Sequence, residues 1–359
     1  MQQILLTLAV GAAAGYLLFR LRFPGGLIVG AIIGTAVLGI CFDAAYIPGV
    51  TRTVAQITAG AFIGCSVSKE DLGRLPKILR PLLILIGGYV VLNLVIGFFF
   101  LGFIPQLDAC TGFLCAVPGG MSDIPVIAAD MGADVPQVAV LQFVRMAMGV
   151  GAFPAIIAAV NRSALSAPAP AEPAPPAPAE ETAGASAVQA PRRDKGPWVV
   201  VLTVAVGSVF GFLGKASGIP AGTILFSTLS VLVLKLSTGK AFIPRWLKRV
   251  AQVLTGCYVG CYFGMEELLQ LKYLVLPAAV LLGCYIANCF FMGWLLPRIT
   301  HLTRAEAMLI ATPAGASDMA LISSDIGVDN PDVIFIQILR MIIVITTFPH
   351  IINLVLHLI

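Results

Sequence analysis

The sequence predicts an all-α polytopic membrane protein made of two inverted repeats, and three observations support that prediction. The first is composition: 58% of the 359 residues are hydrophobic, only 11% are charged, and the mean hydropathy is +0.97. Soluble domains carry about 25% charged residues, so this chain is too apolar to be one. The other two observations are an internal duplication and an uneven distribution of lysine and arginine.

The first apolar segment, residues 3–19, raises the question of a secretory signal peptide. It lacks the basic n-region that such signals carry. Residues 199–214 read as a second copy of it deep inside the chain. A copy in that position cannot be a signal, so we interpret residues 3–19 as a retained transmembrane helix.

A Pro/Ala/Glu-rich stretch at 161–196 divides the chain almost evenly. Such a composition cannot bury enough apolar surface to fold, so it predicts a disordered, partly extended linker on the cytoplasmic side. The expected organisation is therefore a first membrane repeat at 1–160 and a second membrane repeat at 197–359.

The two halves align with each other. Residues 54–72 match 250–268, and 116–157 match 311–352, where roughly 18 of 42 positions are identical. Apolar positions drift between the copies while polar ones persist. The matched polar and turn residues include Pro118/Pro313, Gly120/Gly315, Ser122/Ser317, Asp123/Asp318, Gln142/Gln337 and Arg145/Arg340.

Each half offers the same succession of apolar segments, in which a short broken piece precedes the last long one. The first half gives 3–19, 25–43, 50–66, 78–104, 110–117, 122–131 and 136–160. The second half gives 197–214, 219–236, 250–264, 273–297, 306–312, 317–326 and 331–357. Long apolar segments of this kind predict bilayer-spanning helices.

Basic residues follow segments one and three in the first half but segments two and four in the second. The positive-inside rule then gives the halves opposite orientations, with both termini outside. Five crossings per half, ten in all, require the piece at 110–131 to enter and leave on one side. We therefore predict a re-entrant hairpin with Pro118, Gly119 and Gly120 at its tip, while a broken helix that crosses fully stays an alternative.

The Pro-Gly break exposes backbone groups, which are tolerated at membrane depth only inside protein or beside water. Inverted repeats with broken elements near the midplane are typical of secondary transporters. Glycine permits close approach of backbone or ligand at Gly119 and Gly120. Ser122 and its counterpart Ser317 are candidate N-caps for the short helix that follows. These features predict a polar site between the two copies.

Asp123 and Asp318 follow those serines and allow two interpretations. Each carboxylate either caps the half-helix or pairs with a buried arginine, or it forms a site for a cation or a proton. Carboxylate, hydroxyl and carbonyl oxygens suit Na⁺, and a desolvated aspartate can carry H⁺. Both interpretations stay open.

Arg145 and Arg340 lie about nine residues into the last long helix of each copy, too deep for easy snorkelling. Gln142 and Gln337 precede them by three residues on the same face. Either each arginine pairs with an aspartate and holds the hairpin, or it is a forked donor for an anion. The predicted solute-binding set is Gly119, Gly120, Ser122, Asp123, Gln142, Arg145, Gly315, Ser317, Asp318, Gln337 and Arg340.

Eight cysteines lie within or at the ends of apolar segments, and there are only three histidines. Metal centres need denser nitrogen and sulfur ligands than this. We therefore expect no metal, no cofactor and no catalytic residues, and the chain is expected not to be an enzyme. The net charge of +4 follows membrane sidedness, so it does not indicate a nucleic-acid partner.

The duplicated Pro-Gly-Gly-x-Ser-acid hairpin, followed by a helix with Gln-x-x-Arg, resembles the AbrB family of bacterial inner-membrane proteins over nearly the whole chain. The motif is Pro118 to Asp123 with Arg145, and Pro313 to Asp318 with Arg340. Relatives often have Glu at the acidic position, and Ala314 replaces a motif Gly. The family is distantly similar to cation/proton antiporter and anion transporter folds.

The resemblance implies a multi-pass protein of the bacterial inner membrane, with the lipid bilayer and a small solute as its partners; a homodimer stays open. Two functions remain as hypotheses. One is a secondary transporter of a small anionic solute, with H⁺ or Na⁺ as a candidate coupling ion. The other is a membrane sensor or regulator of gene expression that binds a ligand without transporting it.

Overall fold

A computed structural model describes residues 2–21, 23, 25–160, 196–313 and 330–359. Those residues form α-helices, one 3₁₀ turn and connecting loops, and no strand occurs among them. The predicted all-α fold is thereby confirmed. The linker at 161–196 lies outside the described residues except for Gly196.

The first repeat contains nine helices whose bounds follow the predicted segments closely. They are α1 Gln2–Arg20, α2 Gly26–Phe42, α3 Gly49–Gly64, α4 Lys69–Leu72, α5 Leu75–Phe103, α6 Ala109–Cys115, α7 Ile124–Met131, α8 Val135–Gly151 and α9 Phe153–Val160. The predicted last segment is therefore interrupted at Ala152 rather than continuous. Pro154 lies directly after this interruption, where its missing N–H and its ring disfavour a continuous helix.

The second repeat follows the same order over its described part. Its helices are α10 Pro197–Ala216, α11 Gly222–Thr238, α12 Arg245–Gly260, α13 Met265–Gln270, α14 Val275–Ile299, α15 Arg304–Ile310 and α16 Pro331–Leu356. The 3₁₀ turn Leu271–Leu274 joins α13 to α14. In contrast to the first repeat, α16 runs without interruption through Pro349.

Six stretches of the described residues are long and apolar enough to cross a bilayer, and their apolar windows are only 17–44% buried inside the protein. They contain α1, α5, α8 with α9, α10, α13 with α14, and α16. The surfaces left exposed suit lipid, so this is a membrane protein. The other four predicted spans, α2, α3, α11 and α12, have 16 or 17 residues, short of the roughly 20 needed to span the bilayer.

The helices divide into two bundles, each with members from both repeats. The frame bundle consists of α1, α2 and α3 with α10, α11 and α12, and the hairpin bundle consists of α5 to α9 with α14, α15 and α16. The main contacts between the bundles join α11 to α16 and α12 to α7 and α8. Among the described residues, packing is therefore dense within each bundle and sparse between them.

Glycines hold the frame bundle together. A Cβ on Gly60 or Gly64 would lie 2.8 or 2.6 Å from backbone oxygens of α11, and one on Gly256 or Gly260 would lie 2.7 Å from backbone oxygens of α2. Only glycine permits such close helix approach, as the GxxxG spacing indicates. The third helix of each repeat thus packs on the second helix of the other repeat.

Candidate functional site

The segment between α5 and α8 is a hairpin whose two ends meet. The backbone N–H of Asp134, just before α8, donates to Oγ1 of Thr111 in the first turn of α6 at 2.9 Å. The thiol of Cys110 points to the carbonyl oxygen of Met131 at 3.7 Å. The chain therefore enters and leaves at one end, as expected of a re-entrant hairpin and not of a crossing broken helix.

The second repeat joins the corresponding ends with different residues. Oε1 of Glu306, in the first turn of α15, accepts a hydrogen bond from Nδ2 of Asn330 at 2.6 Å. Glu306 also completes a capping box with Thr303 at the start of α15. Glu306 occupies the position of Thr111 in the duplication, so the two copies close the same junction by different chemistry.

The tip of the first hairpin is held by the helix that follows it. Nη2 of Arg145 donates to the carbonyl oxygen of Gly119 at 2.5 Å. Nε2 of Gln142 donates to the carbonyl oxygens of Leu114 and Val117, both at 3.1 Å. The carbonyl oxygens of Leu114 and Val117 accept only turn-type backbone bonds, among them those from the N–H groups of Val117 and Gly119, because the α-helix ends there. The two side chains therefore add donors where the regular helical ones are missing.

The second repeat uses Gln337 and Arg340 in the same way. Nε2 of Gln337 donates to the carbonyl oxygens of Leu309 and Ile310 at 2.7 and 3.2 Å. Nη1 of Arg340 donates to the carbonyl oxygens of Ile310 and Thr312 at 3.2 and 2.7 Å. The four predicted polar residues of the last helices are therefore buried at the two broken elements.

Two tyrosines that the sequence analysis did not single out connect the repeats. The hydroxyl of Tyr89 on α5 donates to the carbonyl oxygen of Ala311, and that of Tyr285 on α14 donates to Ala116, each at 3.0 Å. Each tyrosine thus binds the broken element of the opposite repeat. Their rings are fully buried and lie 6.4 Å apart, which places them at the centre of the hairpin bundle.

The same tyrosines contact the arginines. Nη1 of Arg340 donates to the hydroxyl of Tyr89 at 3.1 Å, and Arg145 interacts electrostatically with the hydroxyl of Tyr285. The signal for this arrangement was present in the sequence, since Tyr89 and Tyr285 occupy equivalent places in the fourth segments of the two copies. Only the alignment of those segments would have revealed it.

Among the described residues, two arginines bring positive charge to this centre. Arg145 and Arg340 are 2% and 3% exposed and are close enough for their charges to interact. Within the described ranges, Arg145 makes no ion pair, and its buried Nε has no hydrogen-bond partner. Oε1 of Gln142 is likewise buried without a partner. The unused N–H donor of the charged Arg145 guanidinium is what an anion would satisfy, whereas the amide oxygen of Gln142 is an acceptor and requires a donor.

Asp123 does not pair with Arg145 in this structure. It occupies the N-cap position of α7, makes no side-chain capping bond, and lies 3.4 Å from the hydroxyl of Ser122. The expectation that Ser122 caps this helix is therefore wrong, because α7 begins one residue later than a serine cap requires. Asp123 is 8% exposed, and Lys248 of α12 is among the charges that act on it.

Asp130, at the exit of the hairpin, joins the two bundles. Its Oδ1 lies 2.6 Å from Nη2 of Arg52, and its Oδ2 accepts a hydrogen bond from Nε2 of Gln56 at 2.5 Å. Both partners belong to α3 of the frame bundle. The guanidinium of Arg52 also lies over the ring of Tyr258 on α12, 5.8 Å from its centre.

Asp134 is the N-cap residue of α8, two residues before Pro136. Its side chain accepts a hydrogen bond from the backbone N–H of Gln137 at 3.0 Å. Partial burial raises the pKa of this carboxyl above its ordinary value, and the hydrogen bonds from Gln137 oppose that shift. The residue therefore shapes the start of α8 rather than the centre of the site.

Three predicted site residues lie outside the described residues, namely Gly315, Ser317 and Asp318. Their roles stay predictions. Across the described ranges, no group of three or more His, Cys, Asp or Glu residues is placed to hold a metal ion.

Fold and site together define a class: a polytopic membrane protein with duplicated broken elements whose polar backbone is covered by buried arginine, glutamine and tyrosine. The family model described as "Transition state regulatory protein AbrB" matches residues 1–103 and 79–356. Those two matches cover nearly the whole chain. The chain therefore belongs to the AbrB family.

Two relatives match along almost their full lengths. "Putative regulator AbrB" of Escherichia coli (strain K12) is 26% identical over 354 residues, covering 97% of this chain and 94% of that protein. "Uncharacterized protein YhjN" of Bacillus subtilis (strain 168) is 24% identical over 380 residues, covering 98% of this chain and 92% of that protein. The resemblance to the family that the motifs indicated is thus confirmed.

Proposed function

We propose that the protein is a secondary transporter of a small anionic solute, which binds at the centre of the hairpin bundle without catalysis. The observation that carries this proposal is the convergence of Arg145 and Arg340 on two broken elements. A buried guanidinium needs an anionic or strongly polar partner. Arg145 has a backbone carbonyl and a tyrosine hydroxyl, neither of which neutralises its charge.

The division into two bundles supports transport rather than binding alone. The described arginines, glutamines and tyrosines of the site belong to the hairpin bundle, while the frame bundle packs tightly through glycines. Sparse contacts between bundles permit one to move against the other, and such motion exposes a fixed site alternately to the two sides. Asp130, Arg52 and Gln56 then form a polar contact that this motion has to break.

The experiment measures ligand-induced thermal stabilisation of the purified protein against a panel of carboxylates, phosphates, amines and Na⁺. We expect an anion to raise the melting temperature of the wild type, and Arg145→Gln to remove that response while still folding. Arg298→Gln is the matched control, because Arg298 is at the exposed end of α14. A full response in both Arg145→Gln and Arg340→Gln would show that neither arginine contacts the solute.

Transport requires its own measurement, since stabilisation reports only binding. The stabilising anion, radiolabelled, is presented to liposomes that contain the protein, under imposed H⁺ or Na⁺ gradients. We expect uptake above that of protein-free liposomes and above that of Arg145→Gln liposomes. Binding without uptake under every gradient would contradict transport and favour the sensor hypothesis.

The inverted orientation of the repeats belongs to the same proposal, since alternating access relies on it. It rests on the basic residues, which follow different segments in the two halves. Single cysteines at Gln2 and Ser186, in a cysteine-free background, are expected to react with an impermeant thiol reagent from opposite sides of the membrane. Reaction of both cysteines from the same side of the membrane would contradict the proposed topology.

A regulator that binds a ligand without moving it is the second candidate. The names of the family model and of the Escherichia coli relative favour it, because both describe regulators. The linker separates the hypotheses: replacing residues 165–189 by a short Gly/Ser tether leaves uptake unchanged if the linker only joins repeats. Loss of function in a folded, shortened protein would favour regulation through a partner bound by the linker.

A further inference from the structure

Two surface cavities lie at opposite ends of the seam between α5 and α14. One has a volume of about 400 Å³ and includes Lys77, Arg80 and His301 in its wall. The other has a volume of about 290 Å³ and includes Gln137 and Gln270. The larger cavity is lined by residues at the start of α5 and at the end of α14. The smaller cavity is lined by residues that follow the end of α5 and precede the start of α14. The two cavities therefore occupy equivalent places in the two repeats.

The two cavities carry different chemistry at equivalent positions. At the basic cavity, Oδ2 of Asp332 lies 3.3 Å from Nζ of Lys77, and Oδ1 lies 4.0 Å from Nη1 of Arg74. At the other cavity, Nε2 of Gln137 donates to Oε1 of Gln270 at 3.3 Å. A hydrogen-bonded pair of amides therefore occupies the position that the ion pair occupies at the basic cavity.

Arg80 supplies positive charge that Asp332 does not neutralise. Arg80 and His301 are exposed, and neither belongs to an ion pair in the part of the chain that the structure describes. The basic cavity therefore holds more positive charge than its own carboxylate balances. An arginine with free donors in a concave, polar surface suits phosphate oxygens.

Aromatic and basic side chains place this cavity at the headgroup level of a bilayer. Arg298 lies over the ring of Trp294, 3.9 Å from its centre, and the tryptophan is 54% exposed. Tryptophan with an adjacent basic residue is typical of the membrane interface. Both residues are in the last turns of α14, three to seven positions before His301.

Apolar side chains next to the cavity are left exposed in a way that suits acyl chains. Leu79 and Leu83 flank Arg80 on α5 and are 44% and 59% exposed, and Ile299 on α14 is 51% exposed. A soluble anion would use only the basic part of this surface. A phospholipid would use the basic and the apolar parts together.

We propose that the basic cavity binds the phosphate of an anionic phospholipid, through Arg80 and His301, with its acyl chains along Leu79, Leu83 and Ile299. The cavity with Gln137 and Gln270 does not, because it presents amides in place of the ion pair. This site is separate from the central arginines, so its existence does not depend on the proposed transport of a solute.

The test is native mass spectrometry of the delipidated protein with added phosphatidylglycerol, phosphatidylethanolamine or glycerol phosphate. We expect phosphatidylglycerol to bind the wild type, and Arg80→Gln with His301→Gln to weaken that binding at least fivefold. Arg80→Lys, which keeps the charge, is expected to retain most of the binding and excludes loss through misfolding. Lys240→Gln with Arg245→Gln removes two exposed cations elsewhere and is expected to bind as the wild type does.

Three outcomes would overturn the proposal. Unchanged phosphatidylglycerol binding in the Arg80 and His301 double variant would exclude the cavity as the site. Equal losses in the two double variants would show non-specific charge attraction. Glycerol phosphate binding as tightly as the lipid would show a site for free phosphate, in which the apolar flank takes no part.

Discussion

Arg145 and Arg340 occupy equivalent positions in the two repeats, but their environments differ. Arg340 donates to the carbonyl oxygens of Ile310 and Thr312 and to the hydroxyl of Tyr89. Arg145 donates to one backbone carbonyl, that of Gly119, and interacts electrostatically with the hydroxyl of Tyr285. The two repeats therefore share the arginine but differ in its hydrogen bonds. We expect the two arginines to contribute different amounts to the free energy of unfolding.

The largest expected effect is that of removing these two charges. Arg340→Gln removes hydrogen bonds to three acceptors, of which only the carbonyl oxygen of Ile310 keeps another donor, Gln337, and should cost about 3 kcal/mol or more of unfolding free energy. Arg145→Gln removes one hydrogen bond to a backbone carbonyl, so its cost should be about half as large. Both variants relieve the same repulsion between the two arginines, so that effect does not distinguish them. Melting temperatures of the two variants in detergent, without added anion, measure the difference. Equal losses would show that the bonding difference has no energetic consequence.

The two tyrosines are expected to show a smaller difference in stability between the repeats. Tyr89→Phe leaves the carbonyl oxygen of Ala311 unpaired and removes an acceptor from Arg340, for a cost of about 2–3 kcal/mol. Tyr285→Phe leaves Ala116 unpaired and should cost about 1–2 kcal/mol. The ring packing is retained in both variants. The order of their melting temperatures checks the prediction, and a lower value for Tyr285→Phe would contradict it.

The polar contact between the bundles should have a smaller effect on stability. Asp130→Asn keeps an acceptor for Gln56 but removes the ion pair with Arg52, at a cost of about 1 kcal/mol for a partly exposed pair. The matched control is Asp134→Asn, since asparagine serves equally well as an N-cap. Under the transport proposal, Asp130→Asn also changes the uptake rate. A wild-type rate would show that this contact is not broken during transport.

The smallest difference concerns Asn93 and Cys289, which perform the same task in the two repeats. Nδ2 of Asn93 donates to the carbonyl oxygen of Phe113 at 2.8 Å, and the thiol of Cys289 points to that of Met308 at 3.5 Å. Because a thiol is a weak donor, Asn93→Ala should cost about 1 kcal/mol and Cys289→Ala less. Thermal denaturation of both variants tests this order, and the reverse order would refute it.

Local pattern was sufficient to predict most of the helices. Hydropathy and the Pro-Gly breaks gave their positions within a few residues, because burial in lipid and missing backbone donors act on the chain locally. The hairpin followed from counting crossings and basic residues, and the contact between Asp134 and Thr111 agrees with it. The deep arginines and glutamines were recognisable because a polar side chain at membrane depth costs free energy unless it is paired or functional.

Partners across the two repeats could not be predicted in this way. The sequence suggested Asp123 for Arg145, whereas the structure gives it Gly119 and Tyr285. In the sequence, Tyr89 and Tyr285 do not differ from other aromatic residues of apolar helices. The packing of α5 against α14 places their hydroxyls at the broken elements of the opposite repeats. The physical reason is that periodicity and composition determine which face of a helix is polar. Which distant backbone carbonyl that face meets depends on how two separate helices pack, and only the tertiary structure decides it.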